Sequence, residues 1–552
     1  MKNRIKKILC IMLTVFICLG SISCGSSSSN ASGASGGNVK NLIVGTSSPP
    51  ETNSIVSQNG SLGKFNYNSI TYACFFYPDE QNNMLPYFLN SYEISKDGYE
   101  VSMTFPTTAI WHDGKPVTVD DVVFSFEYRR DVLGSSSLQK LKEVRVDADD
   151  AVTVIFSEPV AYFFVKNSGL TMFVIPKHIW ENVTDPSAYT GEDAVIGCGP
   201  YRLVSTDIDA GIINFEAVPE NSYLGELTVE TITLKSYSSP DTLLMGLSNG
   251  EVDVIYEYAS PISYTLLDVI SGNKDVDFGE SVYTGCNQVT FGMSEGPNLN
   301  HDFREAAVKS LNWKLLCSVS NGDYGQIPGS GIIPTACLGY DESLWTMYQD
   351  TNEAKNLLDK AGFVDKDGDG LREMPDGTKF KYKVTSQYAV KKQDLLNRIG
   401  EVIVSSLRDV GIDAYYDQES IKSDEANKSM VANNEYDMFI GYTSTGVAAY
   451  RTAYWYFMNR DIVGPGGMQW GGSYTDEDLN NAYKSLNNAI NNEEYIKAVK
   501  ELQKLGSEDL FAFAICWEKC FFPYRTDKYT GFENYPSVGV VHAETFYKLK
   551  NK

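Results

Sequence analysis

Three serines and four histidines are the first candidates for covalent chemistry in this chain of 552 residues. The pattern Gly-x-Ser-x-Gly, which is typical of a nucleophilic serine between a strand and a helix, occurs around Ser35, Ser248 and Ser294. Ser35 lies in a glycine- and serine-rich stretch, Ser248 at a predicted helix end, and Ser294 before a predicted loop. None of them combines a strand before it with a helix after it, so the sequence predicts no nucleophilic serine.

Other catalytic and metal-binding patterns are equally weak. Ser137 and Lys140 fit Ser-x-x-Lys, but the companion motifs of β-lactamases are missing. The sequence has no His-Glu-x-x-His motif, and four histidines are too few to suggest a nickel or haem ligand set. We therefore predict no enzyme, no cofactor and no metal, and keep a surface hydrolase as the alternative from another functional class.

One acidic loop has the spacing of a calcium site. Asp365, Asp367 and Asp369 are followed by Gly370, and Asp376 stands at the twelfth position, as in an EF-hand loop. An EF-hand loop has Glu at that last position, however, and Asp-Gly pairs also form good turns. The sequence favours a hairpin here and leaves bound calcium as the alternative.

The cysteines and the charge restrict the partners. Of ten cysteines, those after Cys24 are odd in number and irregularly spaced, which favours buried free thiols over a disulfide framework. The formal net charge is −25. A surface this acidic argues against nucleic acid and against electrostatic attachment to anionic lipid.

The beginning of the chain has the pattern of a leader and a tether. Residues 1–7 are basic, residues 8–19 are apolar but too short to span a bilayer, and small residues precede Cys24. We predict a lipoprotein signal peptide over 1–24, lipid attachment at Cys24, and a flexible tether over 25–39. The alternative is a plain secretory signal that is cut nearby.

Strand and helix patterns follow from about residue 40 onwards. Residues 99–105 alternate polar and apolar side chains, as a half-buried strand does. Asp113-Gly114 then marks a turn, and Thr118 and Asp121 have the spacing of a capping box. Val122 and Phe126 belong to the apolar stripe of the helix that follows. The local prediction is a strand, a turn and a capped amphipathic helix.

The stretch WHDGKPVTVDDVVFSFE, which begins at Trp111, resembles the signature of the family 5 extracellular solute-binding proteins, the oligopeptide- and nickel-type receptors of ABC importers. Gly197–Tyr201 (GCGPY) is similar to a further segment of that family. The resemblance implies an α/β fold of the periplasmic-binding-protein-like type II, with two lobes, a hinge and a small extra domain inserted in the first lobe. The implied boundaries are 40–66, 199–286 and 522–552 for lobe I, 67–198 for the small domain, and 287–521 for lobe II.

The resemblance also implies a solute site between the lobes. It places the chain crossings near Gly285–Val289 and Lys519–Arg525, with a ligand-binding strand at Val282–Asn287 and Phe439–Thr445 facing it. Oligopeptide receptors hold the peptide amino terminus with an Asp, whereas Thr445 stands at that position here, so another solute or another binding register stays open. Trp455 and Tyr456 are also compatible with a hydrophobic core helix. The predicted ligand-binding residues are Tyr67, Thr284, Asn287, Tyr442, Thr445, Trp455 and Tyr456.

These expectations combine into a binding protein rather than an enzyme. We expect a monomeric receptor, anchored by lipid at the extracytoplasmic face of the cell membrane. It would capture a peptide or a similar small solute and hand it to the transmembrane subunits of an ABC permease. A signalling-peptide sensor is the alternative within the class of binding proteins.

Overall fold

The computed structural model describes most of the chain that follows the predicted leader and tether. The described residues are 37–47, 70–81, 83–168, 172–257, 262–281, 285–329, 333–335, 337–344, 347–390, 392–444, 476–535 and 538–552. Within these ranges, no helix has both the length and the apolar character needed to cross a membrane.

Short strands and helices alternate along the described residues. The strands are β1 (Val39–Thr46), β2 (Phe76–Pro78), β3 (Met84–Pro86), β4 (Ser91–Ile94), β5 (Glu100–Thr104), β6 (Leu141–Ala148), β7 (Ala151–Phe156), β8 (Tyr201–Asp207), β9 (Ile212–Ala217), β10 (Val229–Ser236), β11 (Val254–Ile255), β12 (Val276–Glu280), β13 (Gly285–Phe291), β14 (Tyr382–Ser386), β15 (Ala414–Tyr416), β16 (Met438–Ser444), β17 (Ala512–Glu518), β18 (Phe521–Arg525), β19 (Tyr529–Thr530) and β20 (Lys550–Asn551). The helices are α1 (Val119–Asp131), α2 (Ala161–Ser168), α3 (Lys177–Trp180), α4 (Pro240–Ser248), α5 (His301–Ser310), α6 (Trp313–Asn321), α7 (Thr351–Lys360), α8 (Gln393–Arg408), α9 (Asp424–Ala432), α10 (Glu477–Asn487), α11 (Asn492–Asp509) and α12 (Thr545–Lys548).

A seven-stranded mixed sheet organises the first lobe. Its strand order is β12-β18-β11-β1-β10-β9-β8, and β1 runs parallel to both β10 and β11. Val39, Leu42 and Val44 of β1 are completely buried, as expected for a strand covered on its inner face. The helix α4 contributes Leu243, Leu244 and Leu247 to a second apolar cluster that also contains Val252 and Phe521.

A five-stranded sheet organises the second lobe. Its order is β15-β14-β16-β13-β17, so β13 is a central strand, and all seven of its residues are buried. The helix α8 presents an apolar face to this core, because Leu396, Ile399, Ile403 and Leu407 recur at helical spacing and are fully buried. The two sheets therefore have separate hydrophobic cores.

A smaller antiparallel sheet, in the order β4-β5-β7-β6, packs with the helix α1. The predicted strand over 99–105 is confirmed as β5, whose Val101 and Met103 are buried. The predicted capping box is confirmed at the start of α1. The Thr118 N–H donates to Asp121 Oδ2 at 2.9 Å, and the Asp121 N–H donates to Thr118 Oγ1 at 3.4 Å.

The signature loop (residues 111–121) is tied to the return loop (residues 197–201) through His112. His112 Nε2–H donates to the Gly199 carbonyl at 3.0 Å, and Nδ1 accepts from the Gly197 N–H at 3.4 Å. Both glycines are needed, because an added Cβ would lie 2.0 Å from the Thr71 carbonyl oxygen at Gly197 and 2.3 Å from the Ile70 carbonyl oxygen at Gly199. The two stretches that carry the family resemblance therefore contact each other within the scaffold.

Candidate ligand-binding site

Two short crossings join the seven-stranded and five-stranded sheets. One begins with Ser281 after β12, and the other consists of Lys519 and Cys520 between β17 and β18. The crossings are hydrogen-bonded to each other, because the Ser281 N–H donates to the Cys520 carbonyl at 2.9 Å and the Cys520 N–H donates to Ser281 Oγ at 3.0 Å. Lys519 also forms an ion pair with Glu280 at the end of β12.

The crossings differ slightly from the predicted ones. The predicted first crossing, Gly285–Val289, is wrong by a few residues, because Gly285 already pairs with Ser444 on one side and Glu518 on the other. The predicted second crossing, Lys519–Arg525, has the right start but is shorter, because β18 begins at Phe521.

The predicted ligand-binding strand and its facing strand are also corrected. The structure describes β13 from Gly285 onwards, since residues 282–284 lie outside the described residues, and β13 pairs directly with β16. These strands are therefore neighbours in one sheet and do not face each other across a gap. Because β13 has β16 on one side and β17 on the other, it offers no free edge to an added peptide strand along its described length.

Both sheets present the same kind of edge to the crossings. In the first lobe, β1, β10, β11 and β12 end where the chain leaves β12 and returns at β18. In the second lobe, β14, β15, β16 and β17 end where β13 begins. Ligands of open α/β sheets bind outside the carboxyl ends of the strands. The topology therefore places a candidate ligand cleft beside the crossings.

The first-lobe side of this cleft carries a buried carboxylate. Glu257 follows β11 and is only 3% exposed. It accepts hydrogen bonds from Thr46 Oγ1 at 3.0 Å and from the Ser47 N–H, both at the end of β1. The ends of two parallel strands are thereby fixed to one acidic side chain.

The second-lobe side carries a polar group that we call the Glu518 cluster: Asn287, Lys392, Tyr442 and Glu518. Asn287 lies directly opposite Tyr442 on neighbouring strands, so both side chains extend from the same face of the sheet. Asn287 Nδ2 donates to Glu518 Oε1 at 2.7 Å, and Lys392 Nζ lies 3.1 Å from the centroid of the Tyr442 ring. Three strands and the start of α8 therefore converge on one polar corner.

Burial changes the proton affinities within the Glu518 cluster. It raises the pKa of Glu518, although the charge of Lys392 and the hydrogen bond from Asn287 act in the opposite direction. Burial likewise lowers the pKa of Lys392. Each group is thus held where its charged form is costly, which is common at binding sites.

The structure places only part of the predicted ligand-binding set. Asn287 and Tyr442 are described, and they are brought together. Tyr67, Thr284, Thr445, Trp455 and Tyr456 lie outside the described residues, as does Cys24. Sequence reasoning missed Glu518, Lys392 and Glu257. The available signal for Glu518 was an acidic residue at the end of the apolar run FAFAICW.

The acidic loop is arranged differently from the EF-hand alternative. Side-chain oxygens of Asp365, Asp367, Asp369 and Glu373 lie within 4.8 Å of one another, and Asp376 is not among them. Lys379 Nζ lies 2.7 Å from carboxylate oxygens of both Asp367 and Asp369, so a cationic side chain already contacts the cluster.

The cysteines agree with the prediction of mostly buried thiols. No disulfide is formed among the seven cysteines of the described residues, and six of the seven are buried, with Cys520 partly exposed: Cys74, Cys198, Cys286, Cys317, Cys337, Cys516 and Cys520. Cys317 and Cys516 lie close together in the core of the second lobe, with their sulfur atoms 2.9 Å apart.

The sheets, their two crossings and the shared strand-end edge define a class: an α/β protein of the type II periplasmic-binding fold, with two lobes and a hinge. A solved structure supports this assignment. The periplasmic oligopeptide-binding component of an oligopeptide ABC transporter from Thermotoga maritima aligns with a TM-score of 0.76 at 19% identity, covering 93% of this chain and 99% of that chain.

Sequence comparison then identifies the family. The model of the bacterial extracellular solute-binding proteins, family 5 (middle region), matches residues 83–463, so the chain belongs to that family. The oligopeptide-binding protein AppA of Bacillus subtilis is 25% identical over 423 residues, which cover 71% of this chain and 73% of AppA. The probable D,D-dipeptide-binding periplasmic protein DdpA of Escherichia coli is 24% identical over 325 residues, 57% of this chain and 59% of DdpA. Members of this family are extracytoplasmic solute-binding components of ABC importers.

Proposed function

We propose that this protein captures a peptide or a similar small solute between its lobes and delivers it to the transmembrane subunits of an ABC permease. One observation carries the proposal. Both sheets present the carboxyl ends of their parallel strands, with buried polar groups, at the edge where the paired crossings join them. Such an edge is suited to a ligand, and paired crossings are suited to hinge closure.

The names of the relatives favour a peptide as the solute class. AppA is named for oligopeptides and DdpA for D,D-dipeptides, and the Thermotoga maritima structure is also of an oligopeptide-binding protein. Because β13 and β16 are neighbours, we propose that side chains at the strand ends, including Asn287 and Tyr442, make the specific contacts. The proposal keeps Tyr67, Thr284, Thr445, Trp455 and Tyr456 as further candidates.

The proposal includes no covalent chemistry. Ser248 ends α4 and accepts a hydrogen bond from Asn273 Nδ2 at 2.9 Å, and Ser294 lies in the loop after β13. Neither serine lies on a strand-to-helix turn, so no observation in the described residues favours the hydrolase.

A thermal-shift screen with mixed short peptides and neutral oligosaccharides tests the proposed function. Binding to the folded state raises the melting temperature in proportion to the logarithm of ligand concentration over Kd. We expect stabilisation by some members of the screen, with the ligand recovered unchanged by mass spectrometry. Recovery of cleaved products would contradict the proposal. Import of the identified solute is then measured in cells with and without this protein. Import that requires the protein indicates a receptor of an importer, and import that does not require it indicates a signalling-peptide sensor.

The proposal also attaches a monomer to the membrane through Cys24 and the tether 25–39. It keeps the domain boundaries predicted above except at the crossings, where Gly285 and Cys286 move to lobe II and Phe521 moves to lobe I. Cys24→Ala in the full chain should release the protein from the membrane fraction and abolish incorporation of a labelled fatty acid. Cys18→Ala, a change of the same kind within the leader, is the control and should leave both unchanged. Retention of label in the Cys24 variant would contradict lipid attachment at that residue.

A further inference from the structure

The Glu518 carboxylate has more acceptor capacity than its described neighbours use. It stands at the end of β17, is partly exposed, and accepts one hydrogen bond, from Asn287 Nδ2. No lysine or arginine among the described residues lies within 4.0 Å of its oxygens, whereas Glu280, at the other crossing, is ion-paired with Lys519. An ionised carboxylate can accept about four hydrogen bonds, so several positions around Glu518 are open.

Asn287 supplies a second acceptor at the same place. Its side chain is completely buried, and in the described part of the chain its Oδ1 atom has no hydrogen-bond partner. Glu518 fixes the orientation of the Asn287 amide. Two oxygen atoms cannot form a hydrogen bond with each other, so Nδ2 rather than Oδ1 must face the carboxylate. Buried polar atoms of this kind are seldom left without a partner unless a water, an ion or a ligand satisfies them.

Lys392, the described lysine whose charge acts on Glu518, does not fill this position. Lys392 lies near enough to influence Glu518, but its Nζ atom contacts the face of the Tyr442 ring, where a cation–π interaction holds it. The corner therefore combines two acceptors, one of them negatively charged, with a lysine that is directed elsewhere. A ligand group complementary to two acceptors must donate hydrogen bonds, and complementarity to Glu518 requires a positive charge.

We propose that Glu518 and Asn287 Oδ1 form a subsite for a positively charged nitrogen group of the solute, either a primary ammonium or a guanidinium. The subsite rests on the proposed function and names the chemical class of solute that the cleft selects. A solute without such a group leaves both acceptors unsatisfied on closure and binds more weakly.

The experiment uses the mature protein and three arms of synthetic tri- to pentapeptides. The first arm has free amino termini and the second has acetylated amino termini, and neither contains lysine or arginine. A third arm contains acetylated peptides with one lysine or arginine. The protein is incubated with all arms in competition, and retained peptides are quantified by mass spectrometry. We expect retention of the peptides with a cationic nitrogen to exceed that of the acetylated peptides without one by about tenfold or more, which corresponds to one charge-assisted hydrogen-bonded pair.

Two variants make the result specific. Glu518→Gln should bind without this preference and keep the melting temperature of the wild-type protein, because glutamine still offers an oxygen to Asn287. Glu508→Gln makes the same change at an exposed position of α11 and should retain the wild-type preference. Equal retention of all arms by the wild-type protein would overturn the subsite while supporting the proposed function. Retention of no peptide in any arm, together with no stabilisation in the thermal-shift screen, would overturn both.

Discussion

The signature loop and the Glu518 cluster differ in how completely their polar groups are satisfied. In the signature loop, Asp121 accepts hydrogen bonds from the Thr118 N–H, the Lys177 N–H and Trp111 Nε1, and His112 uses both ring nitrogens. In the Glu518 cluster, a carboxylate has a single described hydrogen bond and a buried amide oxygen has none. The polar groups of the first region are satisfied within the scaffold, and those of the second region keep hydrogen-bonding capacity for a further group.

The difference separates the most recognisable stretch of the sequence from the subsite proposed for the solute. In the signature loop, Asp121 and His112 use their hydrogen-bonding atoms on neighbouring segments of the scaffold, which leaves these two side chains little capacity for a solute. The Glu518 cluster has no continuous motif, because its members come from β13, β16, β17 and the N-cap of α8. Four substitutions and conditions test this contrast, from the largest expected effect on stability to the smallest.

Gly199→Ala should be the most damaging change. The new methyl group would lie 2.3 Å from the Ile70 carbonyl oxygen, and a backbone atom cannot yield as a flexible side chain can. We expect a loss of about 3 kcal/mol or more in the free energy of unfolding, measured by urea denaturation. Gly37→Ala is the control, because its methyl group would meet no atom within 4 Å. Equal stability of the two variants would show that the return loop is not tightly packed.

Asp121→Asn should cost less, about 1–3 kcal/mol, because one acceptor oxygen that faces backbone donors is replaced by an NH₂ group. Asp120→Asn removes the same charge from an exposed neighbour, whose contact with Lys177 is 3.7 Å long, and should change stability by less than about 0.5 kcal/mol. A comparable loss in both variants would mean that charge at the helix start matters more than the hydrogen bonds of Asp121.

His112 should make stability depend on pH. Burial lowers the pKa of His112 to about 4, whereas the pKa in the unfolded chain is near 6.5. Between these two pH values the ring is neutral in the folded state and protonated in the unfolded chain. This contribution is fully present above about pH 6.5 and is lost progressively as the pH falls towards 4, at up to about 1.4 kcal/mol per pH unit. His112→Gln should be less stable than wild type at pH 7.5, and the gap should narrow at pH 4.5. A gap of constant size contradicts the prediction.

Glu518→Gln should have the smallest effect on folding, within about 0.5 kcal/mol, or should stabilise the protein slightly. Burial raises the pKa of Glu518, which means that the folded state disfavours its charge, and a neutral amide removes that cost. Chemical denaturation at pH 7 measures the change, with Glu508→Gln as the control. A loss of more than about 2 kcal/mol would place Glu518 with Asp121, as a structural residue, and would remove the contrast between the two regions.

Local spacing was sufficient to predict the scaffold but not the site. The capping box of Thr118 and Asp121 lies within four residues, and the apolar periodicity of β5 and α8 follows from burial on one face. Asn287 and Tyr442 were predicted through the family resemblance, which supplied their place in the fold. Glu518 and Asn287 are 231 residues apart, and no pattern in the sequence connects them. The first crossing was misplaced because nothing in the sequence of β13, GCNQVTF, marks where its pairing begins.

The acidic loop illustrates a second limit of spacing. The pattern correctly groups Asp365, Asp367 and Asp369, but the fourth carboxylate comes from Glu373 rather than from Asp376. Glu373 is buried and accepts from the Lys366 N–H at 2.8 Å, which turns it towards the loop. Asp376 instead accepts from the Thr378 N–H, so we expect a substitution at the twelfth position to leave this group of carboxylates unchanged.

The hydrogen bonds between the Ser281 and Cys520 segments have a mechanical consequence for the lobes. Two independent linkers could bend separately and allow the lobes to slide past each other. Here the two linkers are hydrogen-bonded to each other, and an ion pair between Glu280 and Lys519 connects them next to β12. We expect hydrogen-bonded crossings to bend together, so that rotation of one lobe relative to the other deforms both crossings at once.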